Sequence, residues 1–285
     1  MDVRFPHLGI ELAHVGKTIN LGGFSIAYYG IIMALGMVAG YFMAAWQAKR
    51  TGQNPELYLD LALWDIVFAV IGARTYYVIF SWSYYSEHPA EILNLRGGGM
   101  AIYGGVIGGV LTTLVFSKIR KQSFLQLVDT ACTGLLVGQI IGRWGNFFNR
   151  EAFGDYTNSF FAMQIPKRDV RVSDLTHSIR EHLVSIDGVQ YIQVHPTFLY
   201  ELLWNIPVLI LLIWFTPKKQ YHGQVFLLYL LAYGLGRVWI EGLRTDQLLL
   251  FGTHLPVSQL LSALLVLFAA GCLLYRWRKL ACKKN

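Results

Sequence analysis

Two clusters of polar residues interrupt the long apolar stretches of this 285-residue sequence. The first cluster is GRWGNFFNREAFG at 142–154, and its candidate binding residues are Arg143, Asn146, Asn149, Glu151 and Gly154. Arg143 and Asn146 are three positions apart and would share one face of a helix. A guanidinium beside amide donors, flanked by glycines that allow close approach of the backbone, suits a phosphate or a similar anion.

The second cluster, YGLGRVWIEGLRTD at 233–246, places four polar residues on one helical face, because they are separated by four, four and three positions. They are Tyr233, Arg237, Glu241 and Arg244. Glu241 could pair with either arginine, and all three would then be purely structural. Alternatively, Arg143 and Arg237 could converge from two helices on one anion, and a lipid phosphate is the most abundant anion at that depth.

Three further residues are candidates for the same site. Tyr103 lies in RGGGMAIYGGVIGG, where each glycine weakens a helix by about 1 kcal/mol relative to alanine and would let the backbone approach a ligand or line a cavity. Tyr29 begins an apolar stretch, where tyrosines also form the aromatic belt of membrane proteins. His195 stands beside polar residues in HPTFLYE, although a lone histidine there more often makes a structural hydrogen bond.

Other charged residues fall inside apolar stretches, where each would cost about 2.5–3.5 kcal/mol at the membrane centre. They are Asp65, Arg74, Asp129 and Glu201. Buried ion pairs that hold helices together and residues that serve a site both fit these positions.

The composition indicates that these residues are positioned by membrane helices. Hydrophobic residues make up 54% of the chain and charged residues 14%, against about 45–50% and about 25% in soluble domains, which excludes a disordered chain and disfavours a conventional soluble enzyme. The sequence predicts an all-α polytopic membrane protein with about seven transmembrane helices, since a span needs about 20 apolar residues. The predicted spans are 24–46, 59–81, 99–117, 124–146, 197–215, 223–241 and 256–275.

The net charge of +7 predicts the orientation of the chain. Half of the lysines and arginines lie in the connections after the first, third and fifth spans and in the C-terminal tail. The positive-inside bias therefore predicts a cytoplasmic C-terminus, an N-terminus outside, and a site toward the outer leaflet. The basic residues are not interleaved with exposed aromatics, so nucleic acid is not expected as a partner, and the three cysteines lack the spacing of a disulfide or metal site.

The connection at 147–196 is too long for an ordinary loop. It predicts a small extracytoplasmic head subdomain or a functional loop, inserted between the fourth and fifth spans of a single integral membrane domain covering residues 1–285. Within it, RVSDLTHSIREHL is typical of a short amphipathic helix, and YIQVHP of an extended segment.

The motif GRWGNFFNREAFG resembles the signature of the bacterial prolipoprotein diacylglyceryl transferases. The resemblance covers nearly the whole chain and includes AYYG, GARTYYV, GGGMAIYGG, LVDT, HPTFLYE and YGLGRVWIEGLRTD. It implies an enzyme that attaches the diacylglyceryl group of phosphatidylglycerol to the lipobox cysteine of a preprolipoprotein signal peptide and releases glycerol phosphate. It implies this reaction at the outer face of the bacterial cytoplasmic (inner) membrane, among membrane lipids and without a metal or soluble cofactor.

The resemblance also implies roles for single residues. Arg143 would bind phosphatidylglycerol, Arg237 would be the second essential arginine, and the family tyrosine, asparagine and glycine correspond to Tyr29, Asn146 and Gly154. Many members have a histidine, proposed to deprotonate the thiol, where this chain has Tyr103. A tyrosine with an ordinary pKa of about 10 is a poor base at neutral pH.

The expected catalytic residues are therefore Arg143, Arg237 and Tyr103. The expected substrate-binding residues are Arg143, Tyr29, Asn146, Asn149, Glu151, Gly154, Tyr233, Glu241, Arg244 and His195.

Two other classes of protein would use intramembrane charges: a phospholipid transporter or flippase, and a lipid-binding scaffold. The sequence shows no internal repeat of the kind usual in secondary transporters, which disfavours the first.

Overall fold

The structure is a computed structural model that describes residues 3–250, 253 and 255–282. In this part of the chain most residues are helical. The helices are α1 (Tyr28–Arg50), α2 (Glu56–Phe80), α3 (Trp82–Tyr85), α4 (Ile102–Ile119), α5 (Phe124–Asn149), α6 (His177–Glu181), α7 (Thr197–Phe215), α8 (Gln224–Glu241) and α9 (Val257–Ala281).

Five helical segments of the described chain are long and apolar enough to cross a membrane. They are Tyr28–Arg50, Ile102–Ile119, Phe124–Asn149, Thr197–Lys218 and Val257–Ala281. The prediction of a helical membrane protein is confirmed. Helices α2 and α8 occupy the other two predicted spans, with 25 and 18 residues, but they are not among these five, so the count of seven stays a prediction.

The described residues also form seven short strands, so the prediction of an all-α protein is wrong in this respect. They are β1 (Val3–Phe5), β2 (Ile10–Leu12), β3 (Thr18–Leu21), β4 (Phe24–Ala27), β5 (Met163–Pro166), β6 (Val184–Ile186) and β7 (Val189–Val194). Five form an antiparallel sheet in the order β2-β1-β5-β7-β6, and β3 pairs with β4 as a hairpin. The sequence did not predict this sheet, because four of its five strands have only three or four residues and are too short to show an alternating pattern.

The chain divides into two compact units. The first unit contains the described residues of Met1–Gly40, Leu135–Lys219 and Leu227–Asn285. Its apolar core joins the five-stranded sheet to the end of α5 and the start of α7, through Val3, Phe5, Phe147, Phe153, Ile165, Ile179, Ile192, Val194 and Phe198. The predicted extended segment overlaps β7 at residues 191–194. The predicted amphipathic helix contains α6, which Thr176 caps by accepting a hydrogen bond from the Ile179 amide at 3.1 Å.

The second unit, Tyr41–Gly134 and Gln220–Phe226, explains the glycine-rich segment around Tyr103. A Cβ added to Gly104 would lie 2.3 Å from the carbonyl oxygen of Gly72, and one added to Gly108 would lie 2.6 Å from that of Phe68. The sequence suggested that these glycines admit a ligand or line a cavity. In the structure Gly104 and Gly108 instead bring the backbones of α2 and α4 together.

Arg74 is structural in the same unit. It is buried on α2, and its guanidinium donates to the carbonyl oxygens of a single loop. The acceptors are Glu91 at 2.6 Å, Ile92 at 2.8 Å, Asn94 at 3.2 Å, Gly98 at 2.7 Å and Gly99 at 2.9 Å. Since a guanidinium carries five N–H donors, these contacts satisfy all of them and fix the loop that leads into α4.

Asp129 also has a structural role. Its carboxylate is buried on α5 and accepts hydrogen bonds from the backbone amides of Gly223 and Phe226, at 2.8 and 2.9 Å. These amides stand at the beginning of α8, where helical N–H groups have no partner within the helix. A negative charge there also complements the helix dipole.

Candidate active site

Three helices of the first unit bring the two predicted arginines to one carboxylate. Glu201 of α7 is buried, and its Oε1 lies 2.6 Å from Nη1 of Arg237 on α8. Its Oε2 lies 2.7 Å from Nε of Arg143 on α5. Arg143 and Arg237 therefore converge, as the sequence suggested, on the two oxygens of one side chain.

Glu201 stands in an apolar stretch of the sequence, a position that by itself assigns it no role in the site. The available signal was the cost of placing a carboxylate in such a stretch, which demands a cation partner. Which cation would be that partner could not be derived from spacing, because residues 143, 201 and 237 are far apart in the chain.

Glu241 extends the cluster along α8. It forms a close ion pair with Arg237 and lies 3.5 Å, between Oε2 and Nη1, from Arg244. Arg244 in turn donates to both carboxylate oxygens of Asp246, at 3.0 and 2.9 Å. The sequence predicted that Glu241 pairs with either arginine, and in the structure it pairs with both. The first of these pairs holds the Arg237 guanidinium in place beside Glu201.

The first cluster folds into a network that starts at Arg143. Arg143 Nη1 donates to Asn146 Oδ1 at 3.2 Å, and the amide groups of Asn146 and Asn149 both donate to Glu151 Oε1 at 3.2 Å. Arg150 has a φ of 55°, a left-handed conformation that ends α5 and turns the chain back. This turn brings Glu151 to the asparagines of the helix it follows.

Arg171 is a further member of this network that the sequence did not suggest. Its Nη2 lies 3.8 Å from Glu151 Oε2. A polar cavity of about 240 Å³ lies beside the network. It is lined by Lys17, Asn149, Arg150, Glu151, Asp169, Arg171 and Asp174.

Gly154 ties the first cluster to the segments that flank α7 and α8. Its amide donates to the His195 carbonyl oxygen at 2.9 Å, and the Asp155 amide donates to the Leu243 carbonyl oxygen at 3.1 Å. Gly154 and Arg244 form an isolated antiparallel β-bridge. A Cβ at Gly154 would lie 2.8 Å both from the Leu243 carbonyl oxygen and from the His195 Cβ. A side chain is excluded at this position by backbone on one side and by His195 on the other.

Gly154→Ala is expected to lower the free energy of unfolding by about 1–3 kcal/mol, the usual cost of overpacking. The measurement is the apparent melting temperature of the purified protein in detergent. Gly271→Ala on α9 is the control, because a Cβ there meets no atom within 4 Å. Equal melting temperatures for the two variants would contradict the steric explanation.

His195 and the predicted tyrosines occupy different parts of the structure. Burial lowers the pKa of His195, and the nearby Asp155 opposes this effect, so the imidazole is neutral at neutral pH. Its Nδ1 lies 3.1 Å from the Tyr200 hydroxyl, which fits a structural hydrogen bond.

Tyr233 lies within hydrogen-bond range of Arg143. Tyr29 packs its ring on α5 at Gly145, where an added Cβ would lie 2.8 Å from Tyr29 Cδ2.

Tyr103 belongs to the second unit, half-buried at the start of α4. Its role as a base or as a residue that orients the thiol therefore stays a prediction. Among residues 3–250, 253 and 255–282, no group of three His, Cys, Asp or Glu side chains is placed to hold a metal ion. The groups that the first unit does bring together are guanidiniums, amides and carboxylates, which bind an anion and stabilise charge that develops on it.

Apolar spans and a buried arginine–carboxylate cluster on α5, α7 and α8 define a membrane protein with charged side chains gathered among its helices. The family model for prolipoprotein diacylglyceryl transferase matches residues 17–275, and the chain belongs to this family. The resemblance seen in the motifs is thereby confirmed.

Three relatives named phosphatidylglycerol–prolipoprotein diacylglyceryl transferase are similar to this chain over most of its length. The protein of Bacillus velezensis is 40% identical over 260 residues, which cover 91% of each chain. That of Bacillus licheniformis is 41% identical over 257 residues, 90% of each chain. That of Bacillus mycoides is 41% identical over 244 residues, 86% of this chain and 85% of its own.

Proposed function

We propose that this chain transfers the diacylglyceryl group of phosphatidylglycerol to the lipobox cysteine of a preprolipoprotein, the first step of lipoprotein maturation. Membership of the family and the names of its relatives support this activity. The observation that carries it is the placement of Arg143 and Arg237 on the two oxygens of Glu201. This arrangement prepares two guanidiniums for one phosphate.

The reaction is a nucleophilic displacement at the glyceryl carbon that bears the phosphate ester. The cysteine thiolate forms a C–S bond at that carbon while the C–O bond to phosphate breaks, and the bonding electrons leave on the phosphate oxygen. The products are a thioether and glycerol phosphate. A free thiol has a pKa of about 8.5, so a small fraction is ionised at neutral pH.

Arg143 and Arg237 stabilise the negative charge that grows on the departing phosphate. The Glu201 and Asn146 contacts engage Nε and Nη1 of Arg143, and the Tyr233 hydroxyl is also within hydrogen-bond range of this guanidinium. Because a guanidinium has five N–H donors, Arg143 can bind the phosphate while Glu201 still orients it. Such preorganised donors often contribute more to catalysis than any other effect, since they need no rearrangement as charge develops.

The remaining predicted residues support this pair. Asn146, Asn149 and Glu151 position Arg143 and face the polar head group together with Tyr29. Glu241 holds Arg237 and is itself paired with Arg244. Tyr233 supports Arg143, and Gly154 and His195 fix the loops around the cluster. Tyr103 orients or deprotonates the substrate thiol.

We place this activity at the outer leaflet of the bacterial inner membrane. With α2 and α8 counted as spans, the chain crosses the bilayer seven times, with the N-terminus outside and the basic tail in the cytoplasm. The whole chain then acts as one integral membrane domain, and residues 147–196 form an extracytoplasmic insertion. Its sheet, built with the N-terminal strands, stands beside the site where a signal peptide would arrive.

Incubation of the purified protein with phosphatidylglycerol and a lipobox peptide tests the function. We expect the peptide to gain the mass of one diacylglyceryl group, and a peptide with serine in place of cysteine to gain none. Movement of labelled lipid across a vesicle bilayer with an unmodified peptide would indicate a transporter instead. Lipid binding with neither result would indicate a scaffold.

A further inference from the structure

Asn205 is a buried side chain that the mechanism above does not use. It lies on α7 and is 1% exposed. Its carboxamide nitrogen has no hydrogen-bond acceptor among the described residues. Leaving a buried N–H donor unpaired is costly, so the amide is a strong donor toward any acceptor that reaches it.

The position of Asn205 relates it to the arginine cluster. It follows Glu201 by four residues, which is about one helical turn or about 6 Å along α7. The two side chains therefore share a face of the helix. Since Glu201 stands near the beginning of α7, Asn205 lies one turn further into the helix.

The neighbouring helices are polar at a similar depth. Gln139 precedes Arg143 by four residues on α5, and Tyr229 precedes Arg237 by eight on α8. The Gln139 amide donates to the Tyr229 hydroxyl at 3.0 Å, so α5 and α8 meet below the cluster. Arg143 and Arg237 lie near the C-terminal ends of α5 and α8. Gln139 and Tyr229 are therefore deeper in these two helices than the guanidiniums, as Asn205 is deeper in α7 than Glu201.

We propose that Asn205 donates a hydrogen bond to an ester carbonyl oxygen of the lipid substrate. This inference rests on the proposed function, because it assumes that the lipid phosphate is held by Arg143 and Arg237. The two ester groups occupy the other two carbons of the glycerol that carries the phosphate, so they follow the phosphate toward the acyl chains. A phosphate bound by the two guanidiniums would lie at the level of Glu201, and an ester group would lie one turn deeper, at Asn205. The order of groups in the lipid therefore matches the order of side chains along α7. An ester carbonyl oxygen accepts hydrogen bonds and donates none, whereas the Asn205 carboxamide nitrogen donates hydrogen bonds and accepts none.

The test compares phosphatidylglycerol with its diether analogue, which has the same head group and chain length but lacks the carbonyl oxygens. The wild-type protein is expected to use the diester with a kcat/KM about 3- to 10-fold higher, the range for one hydrogen bond in a buried site. Asn205→Leu has similar volume and no donor. This variant is expected to lose the preference for the diester. Its kcat/KM falls on the diester and stays at the wild-type value on the diether.

Three outcomes would overturn the assignment. They are equal wild-type kcat/KM for both lipids, an equal loss on both lipids in Asn205→Leu, and a diester preference that persists in the variant. If Asn205→Leu does not accumulate, Asn205→Ala, which also lacks the donor, is measured in its place, and the wild-type comparison stands without either variant.

Thermal stabilisation of the purified protein by each lipid is measured in parallel and needs no transfer. The wild-type protein is expected to be stabilised more by the diester than by the diether, and equal stabilisation would count against the ester contact. No transfer to the peptide with either lipid would instead refute the proposed function, so the two failures are distinguishable.

Discussion

Replacing Arg143 with alanine is expected to lower kcat/KM for transfer to a lipobox peptide at least about 100-fold, the effect of removing one preorganised donor of an anion site. The protein itself should still fold and insert. Glu201 keeps its 2.6 Å contact with Arg237 in this variant, so no buried carboxylate is left without a cation. The measurement is the rate of peptide modification by mass spectrometry, together with the melting temperature in detergent.

Two further variants give this prediction its controls. Arg143→Lys keeps a charge but loses the planar set of donors that contacts Glu201 and Asn146, and it should restore only a small part of the activity. Arg120→Ala removes an arginine that pairs with Asp60 at an exposed position, where ion pairs contribute little, and it should be fully active. Wild-type rates in Arg143→Ala would refute the assignment of Arg143.

Changing Glu201 to glutamine is expected to produce the largest loss of stability among single substitutions in the site. Glutamine has nearly the same shape but no charge, so Arg143 loses its carboxylate and Arg237 keeps only Glu241. Removing one partner of a buried ion pair costs about 3–5 kcal/mol. We expect a lower melting temperature and a fall in kcat/KM of at least about tenfold, because the guanidiniums are no longer preorganised.

Lipid binding distinguishes this explanation from a general packing defect. A phosphate can supply the charge that Glu201→Gln removes, so added phosphatidylglycerol should raise the melting temperature of the variant by more than that of the wild type. Glu87→Gln, at an exposed position, is the matched control and should behave as wild type. An unchanged melting temperature in Glu201→Gln would show that the carboxylate does not hold the two arginines.

The helices could be predicted from the sequence because their signal is local. Each of the seven apolar stretches corresponds to a helix of the structure, and the ends differ mainly at α1 and α9. The five-stranded sheet could not be predicted, because it pairs Arg4 with Gln164 and so depends on contacts between distant segments. The glycines of α4 also could not be interpreted from the sequence alone, because their spacing is compatible with close contact either to a ligand or to another helix. Only the structure identified α2 as that neighbour for Gly104 and Gly108.

The same division holds for the site. The sequence by itself determined which residues are polar within apolar surroundings, and the spacing of Arg237, Glu241 and Arg244 already implied their ion pairs, because residues three or four apart meet on one helical face. Only the tertiary structure decided that Glu201 stands between Arg143 and Arg237 and that Asn205 is buried without an acceptor. These features join three helices. They depend on which side chains are buried together, because burying a charge or a hydrogen-bond donor without a partner is costly. The spacing of residues along one helix does not determine which side chains of other helices become those partners.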